Sequence, residues 1–127
     1  MKILIVGAGE VGFHIASHLS RENKDVVIID HNVDAIRRVS DHIDVQTIIG
    51  LGSSPEVLEQ AGIQEAEILL AVTNSDETNL VACMVANILS PSTKKLARVR
   101  SADYDHFNEL FCNHPPHIET GIGRAHV

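Results

Sequence analysis

Short apolar runs alternate with helical patterns along most of this chain. The first run, at residues 2–6, is apolar after Lys2 and stops at Gly7. From Glu10 to about Asn23, apolar residues then recur at helical spacing. A continuous apolar run is typical of a strand buried on both faces, whereas recurrence every three or four residues is typical of an amphipathic helix. The opening pattern therefore predicts a strand, a glycine turn and a helix.

The same alternation continues beyond this first unit. Further strands are predicted at residues 26–29, 44–49, 68–73 and 95–99. Helices are predicted from Val33 to about Ser40, from Pro55 with Ser54 as its cap, from Asn74 or Ser75 to just before Pro91, and around residues 104–111. In the longest helix, the expected buried face consists of Leu80, Met84, Val85 and Ile88.

This repetition predicts the fold class. Right-handed crossovers return the chain beside the preceding strand, so successive strand-helix units build a parallel sheet with helices on both faces. We predict a Rossmann-type, doubly wound α/β fold that forms a single three-layer αβα domain over residues 1–111. The pattern is lost at residues 112–127, which hold Pro115-Pro116 and three histidines. We expect this segment to be an irregular tail with at most one edge strand, around Ile118.

Composition narrows the class of protein. Aromatic residues make up only 3% of the chain, so the core must be aliphatic. The formal net charge of -7 repels a phosphate backbone and argues against a nucleic-acid partner. The first apolar run is too short for a signal peptide or a membrane span, and Cys83 and Cys112 form neither a CxxC pair nor a disulfide framework. We expect a soluble, cytosolic protein.

A glycine motif lies where the first strand meets the first helix. Its residues are Gly7, Ala8, Gly9, Glu10, Val11 and Gly12, in the pattern G-x-G-x-x-G. In dinucleotide-binding folds the first glycine permits the tight turn, the second lets the backbone approach a pyrophosphate, and the third allows close helix packing. The free N–H groups at the helix start attract anions. The motif predicts a dinucleotide site; the alternative is a turn whose glycines serve packing only.

An acidic residue follows at a suitable distance. Asp30 ends the second predicted strand, 18 residues after Gly12. A carboxylate at this place accepts hydrogen bonds from the adenosine ribose and repels the additional phosphate of NADP. The sequence therefore favours NAD(H) over NADP(H).

Two further segments are expected at the same edge of the sheet. The fourth strand brings Thr73 and Asn74 to the carboxyl edge of the sheet, where doubly wound proteins bind ligands, although Asn74 could equally be a plain helix cap. Arg98 is predicted within the fifth strand, where a buried guanidinium needs an anionic partner. That partner is either a phosphate of the ligand or a carboxylate of a neighbouring helix.

Patterns typical of catalytic or metal sites are incomplete. His14 and His18 lie one helical turn apart without a third metal ligand at useful spacing, and Tyr104 lacks the lysine four residues later that short-chain dehydrogenases use. The sequence contains no nucleophile elbow, no Walker A motif and no carboxylate dyad. None of these patterns points to catalysis.

Four stretches resemble one known family. They are the N-terminal MKILIVGAGEVG, then PEVLEQAG from Pro55, AVTNSDETNLVAC from Ala71, and ARVRS from Ala97. Over residues 1 to about 111 the chain is similar to the N-terminal NAD-binding domain, of RCK or KTN type, found in TrkA-type regulatory subunits of Trk potassium uptake. Related domains gate ligand-regulated potassium channels.

The resemblance implies a function. It implies that Gly7 to Val11, Asp30, Thr73, Asn74 and Arg98 bind NAD(H), with ATP or ADP as other occupants of the same cleft. It also implies a homo-oligomeric ring without enzyme activity, located in the cytoplasm at the inner face of the cell membrane. There the ring would couple nucleotide binding to an integral-membrane potassium transporter subunit of Trk type.

The chain also departs from the family pattern. Gly50-Leu51 replaces the Gly-Asp or Gly-Asn that many relatives carry near the adenine, and the tail at 112–127 does not match. Full-length relatives continue into further domains, so we expect a truncated or shortened chain with a non-native tail. The alternative function is the cofactor-binding fragment of an NAD-dependent dehydrogenase.

Overall fold

A six-stranded parallel sheet between two layers of helices forms the protein in a computed structural model, which describes residues 1–121. The strands are β1 (Lys2–Val6), β2 (Asp25–Asp30), β3 (Gln46–Ile49), β4 (Ile68–Ala71), β5 (Lys94–Ala97) and β6 (Ile118–Glu119). The helices are α1 (Glu10–Arg21), α2 (Val33–His42), α3 (Pro55–Gln60), α4 (Asp76–Leu89) and α5 (Asn108–Asn113). The predicted Rossmann-type fold is confirmed.

The strand order creates a crevice in the middle of the sheet. The order is β3-β2-β1-β4-β5-β6, and every neighbouring pair is parallel. The chain moves outward from β1 through β3, crosses back, and then continues from β4 on the other side of β1. At such a reversal the helices leave in opposite directions, so a crevice opens at the carboxyl ends of β1 and β4.

Alternating side chains of the strands build two aliphatic cores. In β1, Ile3 and Ile5 face the core under α1 and α2, whereas Leu4 and Val6 face the core under α3 and α4. All four are at most 3% exposed. Burial on both faces accounts for the continuous apolar runs from which the strands were predicted.

The helix starts differ in how their first N–H groups are satisfied. The side chains of Asn32, Ser54 and Ser75 accept a backbone N–H at the starts of α2, α3 and α4. By contrast, the N-cap residue of α1 is Gly9, which has no side chain to accept such a hydrogen bond. The first N–H groups of a helix have no partner within that helix, so those of α1 remain available to another acceptor.

The buried face of α4 differs from the predicted one. The buried residues are Asn79, Ala82, Cys83 and Ala86. Met84 and Ile88 are 53% and 74% exposed, so their assignment to the buried face was wrong. Small residues allow the helix axis to approach the sheet closely, and a pattern that selects the largest apolar residues misses this face.

Two predicted strands end earlier than expected. β4 stops at Ala71 and β5 at Ala97, so Thr73 and Arg98 lie in the segments that follow the strands rather than within them. One backbone hydrogen bond, from Arg98 N to Ala71 O at 2.8 Å, still joins the two segments. Arg98 was therefore wrongly placed inside β5, although it remains at the same edge of the sheet.

The C-terminal segment is more regular than predicted. α5 extends to Asn113, and β6 pairs with β5, with Ile118 3% exposed in the core under α4. The expected edge strand around Ile118 is thus present, while the rest of the predicted irregular tail, at 122–127, lies outside the described residues. Within residues 1–121, no helix is both long enough and apolar enough to cross a membrane.

Candidate functional site

A cleft of about 590 Å³ opens at the carboxyl edge of the sheet, where the strand order reverses. Its walls are the ends of β1, β2 and β4, the start of α1, and the loops that follow β3 and β5. This volume is in the range of pockets that hold nucleotide-sized ligands. Of the predicted site residues, the cleft is lined by Gly7, Gly9, Glu10, Val11, Asp30, Thr73, Asn74 and Arg98.

The three motif glycines have different surroundings. Gly7 has a φ of +114°, and a Cβ there would lie 3.0 Å from the backbone nitrogen of Thr73. A Cβ at Gly12 would overlap the carbonyl oxygen of Gly7, so Gly12 serves the close contact between α1 and the turn. Gly9 has no atom within 4 Å of the position of a Cβ. The open space at Gly9 belongs to the cleft, and Gly12 does not line it.

The start of α1 supplies a positive electrostatic potential. The helix dipole places partial positive charge at its N-terminus, and the first N–H groups are uncapped by any side chain. Glu10 also lines the cleft, but its carboxylate is held 2.8 Å from Nη1 of Arg38 on α2. The Arg38 guanidinium partly neutralises this charge, so the helix start can still attract an anion.

Asp30 joins the glycine turn to the end of β2. Its Oδ2 accepts the N–H of Ala8 at 2.7 Å, and its Oδ1 accepts the N–H of Asn32 at 2.8 Å. Ala8 is 1% exposed and does not line the cleft, so its contribution is to hold this carboxylate. Oδ1 also lies 3.5 Å from Nδ1 of His31. Oδ2 has a further lone pair, so Asp30, which lines the cleft, keeps acceptor capacity for a ligand.

The segment after β4 is held by internal hydrogen bonds. The Thr73 hydroxyl donates to Oδ1 of Asn79 at 2.7 Å and accepts the N–H of Ser75 at 3.1 Å. Ser75 caps α4, so the interpretation of Asn74 as the cap was wrong. Asn74 is exposed at the cleft and its carbonyl accepts from Nη2 of Arg100 at 3.0 Å. Hence Thr73 shapes the wall, whereas the Asn74 side chain is open to a ligand.

Arg98 lines the cleft and has one buried polar atom without a partner in the described part of the chain. Its Nε is buried and has no hydrogen-bond partner among the described residues. Within residues 1–121 it also forms no ion pair, so the neighbouring carboxylate considered from the sequence is not its partner there. A buried donor without a partner is costly, and the guanidinium of this cleft-lining residue has further N–H groups that can bind an anion.

The sequence did not identify every residue of the cleft. The additional lining residues include His31, Asn32, Gly50, Leu51, Gly52 and Thr78. Leu51 is 56% exposed and presents an apolar side chain where many relatives were expected to carry a polar one. The sequence feature that could have identified part of this wall is the glycine pair after β3, Gly50 and Gly52. The carboxyl ends of parallel strands reach the same edge of the sheet, so a loop that follows β3 is expected at the cleft.

The chain matches one known domain family and several curated proteins. The TrkA-N domain model matches residues 3–114. The Trk system potassium uptake protein TrkA of Halomonas elongata is 42% identical over 127 residues, which is the whole of this chain and 28% of that protein. The chain thus spans roughly a quarter of the length of such relatives.

Solved structures share the fold at lower sequence identity. The GsuK channel bound to NAD has a TM-score of 0.74 and 20% identity, over 86% of this chain and 20% of the channel chain. The Kef C-terminal domain of Shewanella denitrificans in its AMP-bound form has a TM-score of 0.72 and 21% identity, over 94% of this chain and 71% of that one. At these identities the likeness demonstrates the fold alone.

Proposed function

This chain belongs to the TrkA-N domain family, and from that membership we propose that it binds NAD(H) as a regulatory domain of a Trk-type potassium uptake system. One observation carries the proposal: the uncapped start of α1 and the side chain of Arg98 line the same cleft as Asp30. Two anion-seeking groups beside the Asp30 carboxylate suit a ligand that has both phosphates and ribose hydroxyls.

Each part of the dinucleotide has a proposed partner. The N–H groups from Gly9 to Val11 bind the pyrophosphate, and Asp30 accepts hydrogen bonds from the adenosine ribose. Asn74 and the wall formed by Thr73 lie toward the other ribose, and Arg98 binds phosphate. ATP or ADP would use the same adenosine and phosphate contacts. The nucleotides named with two structural relatives, NAD for the GsuK channel and AMP for the Kef domain, support an adenine nucleotide here.

We propose that nucleotide binding regulates transport and that the domain catalyses no reaction. A ligand shifts an equilibrium between two conformations only by its difference in affinity for them. NADH and NAD⁺ differ in charge, as do ATP and ADP, so each pair can favour different states of the cleft. The proposed partner is the integral-membrane potassium transporter subunit, which the domain meets from the cytoplasm at the inner face of the membrane.

We also propose that the domain forms homo-oligomers. The exposed side of α4 supports this proposal, because Val81, Met84 and Ile88 recur at helical spacing and are 42%, 53% and 74% exposed. A second copy of the domain that covers this row would bury an apolar surface that a monomer leaves in water.

Calorimetric titration of the protein with NADH, NADPH, ATP, ADP and AMP tests the proposed binding. We expect measurable heat with NADH and a weaker response with NADPH. A protein that is folded by circular dichroism and binds none of the five nucleotides would contradict the proposal. Oxidation of NADH by the purified protein with small carbonyl substrates would instead support the dehydrogenase alternative.

A further inference from the structure

We propose that Asn79 is a positioning residue for nucleotide binding, which holds the segments after β4 and β5 in the register that presents Arg98 to the ligand. This inference rests on the proposed nucleotide binding. Asn79 is on the first turns of α4, is fully buried and does not line the cleft. It therefore acts through its neighbours rather than through the ligand.

The Asn79 amide is fully used by hydrogen bonds to the two segments. Its Oδ1 accepts the backbone N–H of Thr73 at 2.9 Å and the Thr73 hydroxyl at 2.7 Å. Its Nδ2 donates to the carbonyl oxygen of Thr73 at 3.1 Å and to that of Arg98 at 2.7 Å. A carboxamide has two donor hydrogens and two acceptor lone pairs, so all four positions are occupied.

Packing alone does not account for an asparagine here. The other buried residues of α4, Ala82, Cys83 and Ala86, provide the close contact with the sheet without a polar side-chain amide. A buried amide is costly unless its hydrogen bonds are made, and here they are made to loop backbone beyond the ends of β4 and β5. Asn79 thus joins two segments at the point where the strand ladder stops.

A second residue of α4, Asp76, also binds the segment after β5, at residues that follow Arg98. The carboxylate of Asp76 accepts the N–H groups of Arg100 and Ser101, both at 2.9 Å. The backbone around Arg98 is therefore fixed to α4 at two points, with Asn79 nearest to the arginine itself. Loss of the Asn79 anchor frees the carbonyl of Arg98, and the side chain that lines the cleft would then extend from a less rigid backbone.

A double-mutant cycle separates this positioning role from a role in stability. The affinity for NADH is measured by calorimetry on the whole chain as wild type, Asn79→Ala, Arg98→Ala and the double variant, at a temperature where circular dichroism shows each to be folded. We expect Asn79→Ala to bind about tenfold more weakly, as for the loss of a hydrogen bond of ordinary strength. In the Arg98→Ala background the same substitution should cost less than about threefold, because residues that act through one another are not additive.

A matched control comes from the opposite end of the sheet. Thr93 is 1% exposed, and its hydroxyl donates to the carbonyl oxygen of Ala66 at 2.8 Å, away from the cleft. Thr93→Val should lower Tm without weakening NADH binding. If Asn79→Ala does not fold, Asn79→Ser replaces it, since its hydroxyl satisfies part of the buried polar site without adding a charge.

Three results would decide against the inference or its premise. Unchanged NADH affinity in the folded Asn79 variant would overturn it. Additive effects of Asn79→Ala and Arg98→Ala would also overturn it and leave Asn79 a structural residue only. If the wild-type protein does not bind NADH, the proposed function itself fails, and that failure is distinct from the other two.

Discussion

The carboxylate of Asp30 accepts a hydrogen bond from the backbone N–H of Ala8 at 2.7 Å, which joins the glycine turn to the end of β2. The other oxygen of the same carboxylate accepts the N–H of Asn32. Asp30 therefore shapes the cleft and also offers it a negative charge. A variant that removes the charge also disturbs these contacts, so Tm is measured beside nucleotide affinity to separate the two roles.

Asp30→Asn removes the charge and keeps one acceptor oxygen, but its NH2 group cannot accept one of the two backbone N–H groups that the carboxylate accepts, so Tm should fall as well. We expect this variant to remain folded and to bind NADH more weakly by about 1.5–3 kcal/mol, the range for a hydrogen bond to a charged group. The preference for NADH over NADPH should narrow, because the additional phosphate no longer meets a carboxylate. Calorimetry with both nucleotides measures the two effects.

The control for Asp30→Asn is Asp34→Asn, which removes a carboxylate that is 91% exposed on α2. It changes the net charge by the same amount and should leave both affinities unchanged. If Asp30→Asn binds NADH as tightly as the wild-type protein does, the proposed ribose contact is wrong.

Gly9 and Gly12 should respond differently to substitution. A side chain at Gly9 meets no protein atom but fills the space proposed for the pyrophosphate, so Gly9→Val should keep its Tm and lose NADH binding. Gly12→Ala places a Cβ against the carbonyl oxygen of Gly7, so it should lower Tm. Thermal denaturation and calorimetry on both variants test the pair. If Gly9→Val binds NADH with wild-type affinity, Gly9 is needed only for the turn and not for the ligand.

The sequence predicted the elements whose signals are local. The apolar runs of β1 and β2 are buried on both faces, and the cap at Ser54 with Pro55 fixes the start of α3, so these bounds are correct within a residue or two. The glycine turn and Asp30 meet at one edge because parallel strands place their carboxyl ends together.

The sequence did not predict the polar contacts made across the sheet edge. Asn79 was not recognised because the buried face of a helix is predicted from its large apolar residues, and Asn79 is polar. Its hydrogen-bond partners are at Thr73 and Arg98, outside the helix. The position of Arg98 depended on where β5 ends, which is set by its pairing with β4 rather than by its own residues. The hydrogen bond between Asn79 and Arg98 and the pairing of β4 with β5 join segments that are far apart in the sequence, and such contacts leave no local pattern.

The two cysteines should differ in reactivity. Burial raises the pKa of the Cys83 thiol to about 12, whereas Cys112 is exposed. The thiolate is the reactive form, so a disulfide reagent at neutral pH should modify only Cys112 in the folded protein and both cysteines after unfolding. Rapid modification of Cys83 in the native Cys112→Ser variant would contradict this burial.

The same pKa shift predicts lower stability in alkaline solution. The folded-state pKa of Cys83 lies above its ordinary value of 9.0, so the unfolded chain releases this proton first as the pH rises. The contribution is fully present below pH 9.0 and is lost toward pH 12. Urea denaturation of Cys83→Ala should therefore show a weaker decline in unfolding free energy over this interval than the wild-type protein shows.

Self-association should depend on the exposed apolar row of α4. Ile88→Lys places a charge at the most exposed position of the proposed contact and should shift light scattering toward the monomer. Leu110→Lys is the control, because Leu110 is 52% exposed on α5 and outside this row. A wild-type protein that is monomeric at high concentration, with and without NADH, would contradict the proposed contact.

The final prediction concerns potassium uptake in cells that depend on a Trk-type transporter. Substitutions that weaken nucleotide binding, Arg98→Ala or Gly9→Val, should change the response of uptake to the nucleotide state of the cell in the protein that contains this sequence. The size of the response is limited by the difference in nucleotide affinity between two states, typically about 1–3 kcal/mol or roughly 5- to 150-fold in such switches. Rubidium influx measures the effect, and immunoblotting shows whether each variant is expressed. Asp34→Asn provides the control with an intact cleft, since its carboxylate is exposed and outside the site. Normally regulated influx in variants that have lost nucleotide binding would mean that this cleft is not the site of control.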